Sequence, residues 1–330
     1  MRIGNNPQRD KLVNKGKYLH QVIMPIYIPE LSTYYTDSFE VFKLSILSLI
    51  KTVHHKTYIT VVANGCCKEV ENYINQLYQN KQIHEVIYTS AIGKVNAILK
   101  GLAGSLYPIV TITDADVLFL NTWQDQTYQV FNNFPKCGVV SPVPNPSNTF
   151  YKNADLFASN SFNKKLYYSE IKNKEALREF AKSINELEYY ERCHLKQYLV
   201  IKNNSFNAVV GSGHFIATYK TDLFNSKFTR FTKYLLGGNS VNNIIDSKAS
   251  IIGFWRLSTE DNFAYHMGNT LDKTYIDIYI KIEQDTTVII NFPNTEVAKP
   301  SIFRVLYLKI INRVFESSRV KKMLKEYWFK

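Results

Sequence analysis

The sequence predicts an α/β protein: a mostly parallel sheet with helices packed on both faces. Two observations predict it. Strand-like apolar runs alternate with helical stripes through the first third of the chain, and parallel strands need such crossovers. The runs are also too continuously apolar for strands with one wet face, as expected of a sheet covered on both sides.

Gln21 to Ile28 (QVIMPIYI) reads as the first strand and stops at Pro29. From Ser38 to Lys51, residues Phe39, Phe42, Ile46, Leu49 and Ile50 recur at helical spacing. Tyr58 to Ala63 (YITVVA) is a buried strand followed by the turn signal Asn64-Gly65. Val70, Tyr73, Ile74, Leu77 and Tyr78 make the next helical stripe, and His84 to Thr89 the third strand. Val95, Ile98, Leu99 and Leu102 form a third stripe, with Gly104 near its end. Pro108 to Thr113 (PIVTIT) is the fourth strand and runs into Asp114-Ala115-Asp116. Ligands of such sheets bind beyond the carboxyl ends of the strands. Asn64, the Ile92-Gly93-Lys94 turn and Asp114 are therefore expected on one edge.

A helix near Thr122 to Phe134 and a strand at Gly138 to Pro142 follow, after which the pattern loosens. Pro144 to Phe150 reads as a loop, and the polar stretch from Tyr151 to Lys202 holds one helix, Lys174 to Leu187. Order returns from Asn207 to Tyr219, around Gly211-Ser212-Gly213-His214-Phe215. The chain is accordingly divided into a polar extension (1–17), a regular half (18–145), a looser half (146–295) and a basic tail (296–330).

With 45% apolar and 21% charged residues, 330 residues can bury a full core without staples. The four cysteines, Cys66, Cys67, Cys137 and Cys193, include no CxxC pair, which argues against a zinc site or disulfide framework and for reduced thiols in the cytoplasm. Met1 to Lys17 lacks the apolar centre of a signal peptide, and no apolar run is long enough to span a bilayer. The net charge is +12, and Lys299 to Lys330 carries nine Lys or Arg against two Glu. There Phe303, Leu306, Tyr307, Ile310 and Val314, then Val320, Met323, Leu324, Tyr327 and Trp328, fall at helical spacing among basic residues. Two readings stand: peripheral contact with an anionic membrane face, or a helix pair docked on the domain. Basic residues gathered in an aliphatic tail do not make a nucleic-acid groove.

Asp114-x-Asp116 is the leading candidate for chemistry. Two carboxylates at the end of a buried strand are costly unless compensated, and Mn²⁺ or Mg²⁺ would compensate them while binding a diphosphate. The plainer reading is a solvated, capped turn. Gly93 and Lys94 open a helix, where backbone N–H groups and an ammonium suit phosphate. Glu260 or Asp261, in Ser258-Thr259-Glu260-Asp261-Asn262, offers a carboxylate to take a proton from an acceptor hydroxyl, or else caps a helix running through Phe263 and Met267. His266 is a candidate metal ligand, and Gly213 with His214 forms a turn where backbone approaches a ligand.

These motifs resemble the family 2 glycosyltransferases, of GT-A fold. VIMPIYIP and FKLSILSLIKT resemble the family's first strand and helix, and YITVVANG its second strand and turn, where an Asp is usual near Asn64. In AIGKVNAILKG, Gly93, Lys94, Ala97 and Gly101 match, while Ala91 and Leu99 stand in place of Asn. Asp114-Ala115-Asp116 matches the DxD, GSGHF the acceptor-side glycine turn and Glu260-Asp261 the catalytic pair. The resemblance implies a metal-dependent, inverting hexosyltransferase using a nucleotide sugar, UDP-linked by expectation. Pro25, Tyr27, Asn64, Gly93, Lys94 and Asp114 to Asp116 would hold the donor, and Asp114, Asp116 and His266 the metal. Gly213 and His214 would serve the acceptor, with Asp261 (or Glu260) as base. The low-aromatic N-terminal half would take the donor, the Tyr-rich half a glycan or lipid-linked acceptor, as in surface polysaccharide assembly. A nucleotidyltransferase would need a Gly-bearing basic loop after the first strand, where this chain has PELSTYYTD. A non-catalytic sugar-binding scaffold on the same fold is the remaining alternative.

Overall fold

The computed structural model describes residues 4–12, 16–160, 164–224, 231–288, 290–295, 301–317, 319, 320 and 323. The regular half folds as four strands joined by three helices: β1 (His20–Ile26), α1 (Ser38–Thr52), β2 (Thr57–Asn64), α2 (Lys68–Gln79), β3 (Glu85–Thr89), α3 (Lys94–Leu102) and β4 (Ile109–Thr113). Then come β5 (Val117–Phe119), α4 (Trp123–Asn133), β6 (Cys137–Ser141), α5 (Ala154–Asn160), β7 (Leu166–Glu170), α6 (Lys174–Ser183), β8 (Gln197–Asn203), β9 (Phe206–Val210) and β10 (Ile216–Lys220). The remaining elements are α7 (Ser247–Ile251), β11 (Trp255–Ser258), β12 (Ala264–His266), α8 (Lys273–Ile280) and α9 (Ile302–Glu316).

Ten strands form one sheet in the order β3-β2-β1-β4-β10-β6-β11-β9-β8-β7. Seven of them (β1 to β4, β6, β8 and β11) point one way, and β7, β9 and β10 run against them. Alternation along β1 shows why both faces are covered. Val22, Met24 and Ile26 pack with Phe42, Ile46 and Leu49 of α1 and Val70 and Ile74 of α2. Ile23 turns the other way, onto Val95, Ala97 and Ile98 of α3. Gly101 allows that helix to come close, because a Cβ there would lie 2.6 Å from the Ile23 side chain.

The loose half holds more order than its composition suggests. The stretch read as polar with one helix also contains α5, β7 and the start of β8. The segment after Ser258, expected to open a helix under an N-cap, is the strand β12, which pairs antiparallel with β5 (Ala264 with Phe119, His266 with Val117). Cross-strand pairing prevailed over the local capping signal. Of the tail, α9 is formed, whereas Leu324, Tyr327 and Trp328 lie outside the described residues.

A buried polar chain fixes the amino-terminal end of the strands. Gln124 Oε1 accepts the His54 backbone N–H (2.9 Å), so its Nε2 is the atom donating to His20 Nδ1 (2.9 Å). His20 Nε2–H therefore donates to Thr111 Oγ1 (2.7 Å), which donates on to Thr218 (2.6 Å). His54 Nδ1 accepts the Lys56 backbone N–H (3.2 Å), so His54 Nε2–H donates to the Tyr128 hydroxyl (2.8 Å), and that hydroxyl, 2.7 Å from His20 Nδ1, shares the one Nδ1 lone pair with Gln124 Nε2. Both rings are neutral in this arrangement. Burial lowers His20 well below the usual imidazole value and His54 to about 4. Unfolded, both rings return to about 6.5. The unfolded state thus binds more protons between those values, so stability rises with pH there and is lost as the pH drops. Thermal melts at constant ionic strength are expected to lose several degrees (about 5 °C) of Tm between pH 7 and pH 5. His54→Gln should flatten that slope.

Candidate functional site

Beyond β3 the chain returns to the far side of β1, so the order 3-2-1-4 has its switch point between β1 and β4. A cleft of about 440 Å³ opens near their carboxyl ends, lined by Pro25, Tyr27, Asn64, Gly93, Lys94, Asp114, Ala115 and Asp116 among others. Every residue expected to hold a donor thus lines one hollow, as the rule for strand ends requires.

Asp114 leaves β4 with its backbone N–H held by the Phe215 carbonyl just before β10 (2.7 Å). Its Oδ1 lies 2.5 Å from the Lys94 ammonium, which projects from the first turn of α3. Asp116 precedes β5, its carbonyl accepting the Met267 N–H (2.8 Å). The antiparallel β5–β12 pair brings in His266, whose Nε2 is 3.4 Å from Asp116 Oδ2. Ligand atoms of Asp114, Asp116 and His266 all fall within 4.8 Å of one another.

The orientation of His266 is fixed from behind. The Ser183 hydroxyl, at the end of α6, donates to the Phe180 carbonyl (2.8 Å). Its oxygen therefore accepts from His266 Nδ1–H (2.9 Å), and Nε2 presents a bare lone pair toward Asp116. Phe180 and Phe215 meet the ring edge-on, at 5.8 and 5.2 Å between centroids. Asp116 Oδ1 is sealed from solvent without a hydrogen-bond partner among the described residues. Burial raises the Asp116 carboxyl above its usual range and the Asp114 charge adds to this, while the Lys94 ammonium opposes it. Two carboxylates and an imidazole lone pair around one point form a donor set suited to a divalent cation of the Mg²⁺ or Mn²⁺ class. The orphaned oxygen is the observation that fits the residues to such an ion.

The remaining walls were only partly foreseen. Asn64 Oδ1 accepts the Ile92 backbone N–H (2.9 Å) and the Thr89 hydroxyl (3.2 Å), bracing the turn into α3. A backbone N–H can only donate, so the oxygen faces the turn and the NH₂ group is what Asn64 retains for other partners. Aromatic side chains were expected mainly on the acceptor side, yet this cleft is lined by Tyr27, Tyr34, Tyr35 and Phe42. Tyr34 and Tyr35 belong to a 3₁₀ turn, Thr33–Tyr35, inside the PELSTYYTD loop. The paired Tyr-Tyr in a loop just past a strand end was the available signal. Asn269 Nδ2 donates to the Tyr34 carbonyl (3.0 Å) and the Leu271 N–H to Asp37 (3.2 Å), tying that loop to the segment after His266.

Glu260 and Asp261 are not in the cleft. They line a second hollow of about 250 Å³ with Gln126, Lys172, Phe206 and Asn207. There Glu260 pairs with Lys172 (2.9 Å) and accepts from Asn207 (3.2 Å), while Asp261 Oδ1 accepts the Asn262 N–H (2.8 Å). Gly213 and His214 do not line the cleft either. The turn they belong to wraps a fully buried ion pair, Arg256 with Asp246 (3.0 Å). Arg256 also donates to the Ser212 and Gly213 carbonyls, and His214 Nδ1 stands 3.6 Å from Asp246. Gly211, at φ +116°, lets the turn pack on Asn148, whose carbonyl a Cβ would meet at 2.9 Å.

No protein-family model and no curated sequence matches the chain. Among solved structures it is similar to the mannosyltransferase PcManGT from Pyrobaculum calidifontis in complex with GDP-Man and Mn²⁺, at 15% identity and a TM-score of 0.43, covering 76% of this chain and 58% of that one. It is also similar to S. aureus TarS 1–349, at 12% identity and a TM-score of 0.41, covering 75% and 60%. With TarS 1–349 in complex with UDP the values are 11%, 0.42, 79% and 63%. The chain thus spans less than two thirds of each of these structures.

Gly93 caps α3 at φ +93°, and the Lys94 N–H donates to the Leu235 carbonyl (3.0 Å), so the 234–235 backbone lies against this turn. A Cβ would sit 2.7 Å from the Tyr234 carbonyl oxygen. Gly93→Ala is expected to destabilise the protein by roughly 1–3 kcal/mol, measured by denaturant unfolding, since both the dihedral and the contact oppose it.

Proposed function

We propose that the protein is a GT-A glycosyltransferase whose cleft binds a nucleoside-diphosphate sugar together with a divalent cation held by Asp114, Asp116 and His266. The observation that carries this reading is the oriented imidazole: a bare Nε2 aimed at the carboxylates beside a sealed, unpartnered Asp116 oxygen. The cation would supply Lewis-acid charge to the departing diphosphate.

The chain's own groups do the rest. Lys94, already balancing Asp114, is placed to share its charge with a phosphate oxygen. Ser183, Phe180 and Phe215 keep His266 in one tautomer and one orientation. Tyr27, Tyr34 and Tyr35 offer ring faces and hydroxyls to the base, ribose or sugar. The Asn64 amide offers N–H groups to carbonyl oxygens. A general base must come within about 3 Å of the acceptor hydroxyl. Asp261, in its separate hollow and turned onto Asn262, is given no step.

The test is a thermal-shift panel of UDP-, GDP- and other nucleotide sugars with and without Mn²⁺. At about 100 times Kd, the right donor should add close to 3 kcal/mol of stability, and only with the metal present. Asp116→Asn should abolish that shift, and His266→Ala should weaken it at least ten-fold in metal concentration. If no nucleotide gives a metal-dependent shift, the reading is wrong. With the donor in hand, Asp261→Asn is expected to keep most transfer activity. Transfer lost with the shift intact would return Asp261 to the reaction as its base.

A further inference from the structure

The helix α9 has two apolar faces, and among the described residues the fold packs on only one. Leu308, 1% exposed, rests on Gly253, where a Cβ would meet its methyl carbons at 3.0 and 3.1 Å. Phe315 stacks on Phe157 of α5 at 6.0 Å between centroids. Asn312 Nδ2 donates to the Ser250 carbonyl of α7 (3.1 Å), and Arg304 pairs with the buried Asp155 (2.5 Å). Residues 304, 308, 312 and 315 lie on one side of a helix, and that side is spent.

The opposite side is the stripe read from the sequence. Ile302, Phe303, Leu306, Tyr307, Ile310 and Val314 are 40–85% exposed, with Phe303 at 85% and Ile310 at 64%. A soluble monomer rarely leaves so many large apolar residues together on one helix face. From Ile302 to Glu316 the helix carries three basic residues and one acid, Glu316, at its last position. Arg304 is taken by Asp155, while Lys309 and Arg313 are exposed at one margin of the stripe, and Arg319 follows, also exposed. Ile251, at the end of the adjoining α7, is 55% exposed as well. Among the described residues no helix is long and apolar enough to cross a membrane.

We infer that this face of α9 lies on an anionic lipid bilayer, its apolar stripe set among the acyl chains and Lys309, Arg313 and Arg319 at the headgroup phosphates. The charge pattern selects this occupant. In a two-fold pairing of α9 with a second copy, the basic margins of two +12 chains would be brought together with one acid, Glu316, against three basic residues on each helix. A phosphate-bearing surface neutralises the same margin. The shape fits too, because a basic amphipathic helix anchored to the fold along one side can lie only in the plane of the interface. This inference rests on α9 alone and stands apart from the reading of the cleft.

The experiment is co-sedimentation of the full chain with vesicles of phosphatidylcholine, alone or with about one third phosphatidylglycerol. Strong binding to the anionic vesicles is expected, at least ten-fold weaker to neutral ones and reduced in high salt. Leu306→Glu with Ile310→Glu should remove binding while Tm stays within a few degrees, since both positions are exposed. Lys309→Glu with Arg313→Glu should remove the preference for anionic lipid. Equal binding by the Leu306/Ile310 variant would overturn the proposal, as would absence of vesicle binding by the wild type. A dimer seen by light scattering that the Leu306/Ile310 substitutions dissociate, in a protein that ignores vesicles, would assign the face to a second copy instead.

Discussion

The constraint on which the site depends is the cost of holding Asp116. Its carboxyl is wedged between a second acid and an imidazole lone pair, and one of its oxygens is sealed off without a partner. An unpaired buried polar oxygen is among the more expensive features a fold can carry. Four separate elements converge to hold it. The end of β4 delivers the acids, the residue before β10 pins the Asp114 N–H, the β5–β12 strand pair delivers His266, and the end of α6 sets its tautomer. An arrangement that concentrates negative charge from so many directions has a physical rationale if a cation belongs at its centre.

The rest of the interior shows a partial contrast. Two buried polar networks bring partners together, although Gln21 Oε1, Trp123 Nε1 and Arg256 Nε also lack one among the described residues. The Gln124–His20–Tyr128–His54 chain ties β1, β4 and α4 together at the amino-terminal end of the strands. The Arg256–Asp246 pair collects Tyr151, Tyr219 and two turn carbonyls around it. Breaking either would strand a buried polar group, so both specify the sheet's arrangement as well as adding to its stability. They make the frame rigid at places distant from the cleft. The GSGH turn, read from the sequence as an approach to a ligand, belongs to this framing class: its glycines admit close backbone packing, and its carbonyls solvate an arginine.

What the sequence made legible follows sequence distance. Asn64, Gly93, Lys94, Asp114 and Asp116 each sit at the end of a strand or the start of a helix inside a local unit, so period and turn signals located them all. His266 entered as a candidate by residue type. Its partnership with Asp116 depends on a strand pair joining Val117 to His266, which no local pattern encodes. Ser183, the residue that orients it, lies on a third element and carries no signal at all. Ser258 to Asp261 failed in the opposite way: a good local capping pattern was overruled by a distant strand, and its carboxylates were carried to another hollow. The tail was ambiguous for a simpler reason. With Leu308, Ile311 and Phe315 on one side and Phe303, Leu306 and Ile310 on the other, helical spacing supports either face as the docked one.

The Lys94–Asp114 contact bears on how the cleft loads. An ammonium 2.5 Å from Asp114 Oδ1 already neutralises one of the two acids. A cation arriving alone must compete with that ammonium for the same oxygen, and gains only the second carboxylate and the imidazole outright. A cation arriving with a diphosphate would change the balance, because phosphate oxygens would give Lys94 another anionic partner and free Asp114 for the metal. The two ligands would then be linked, each raising the affinity of the other by the same factor, as any coupling between bound species requires. Lys94 would be the group through which metal and nucleotide sense each other.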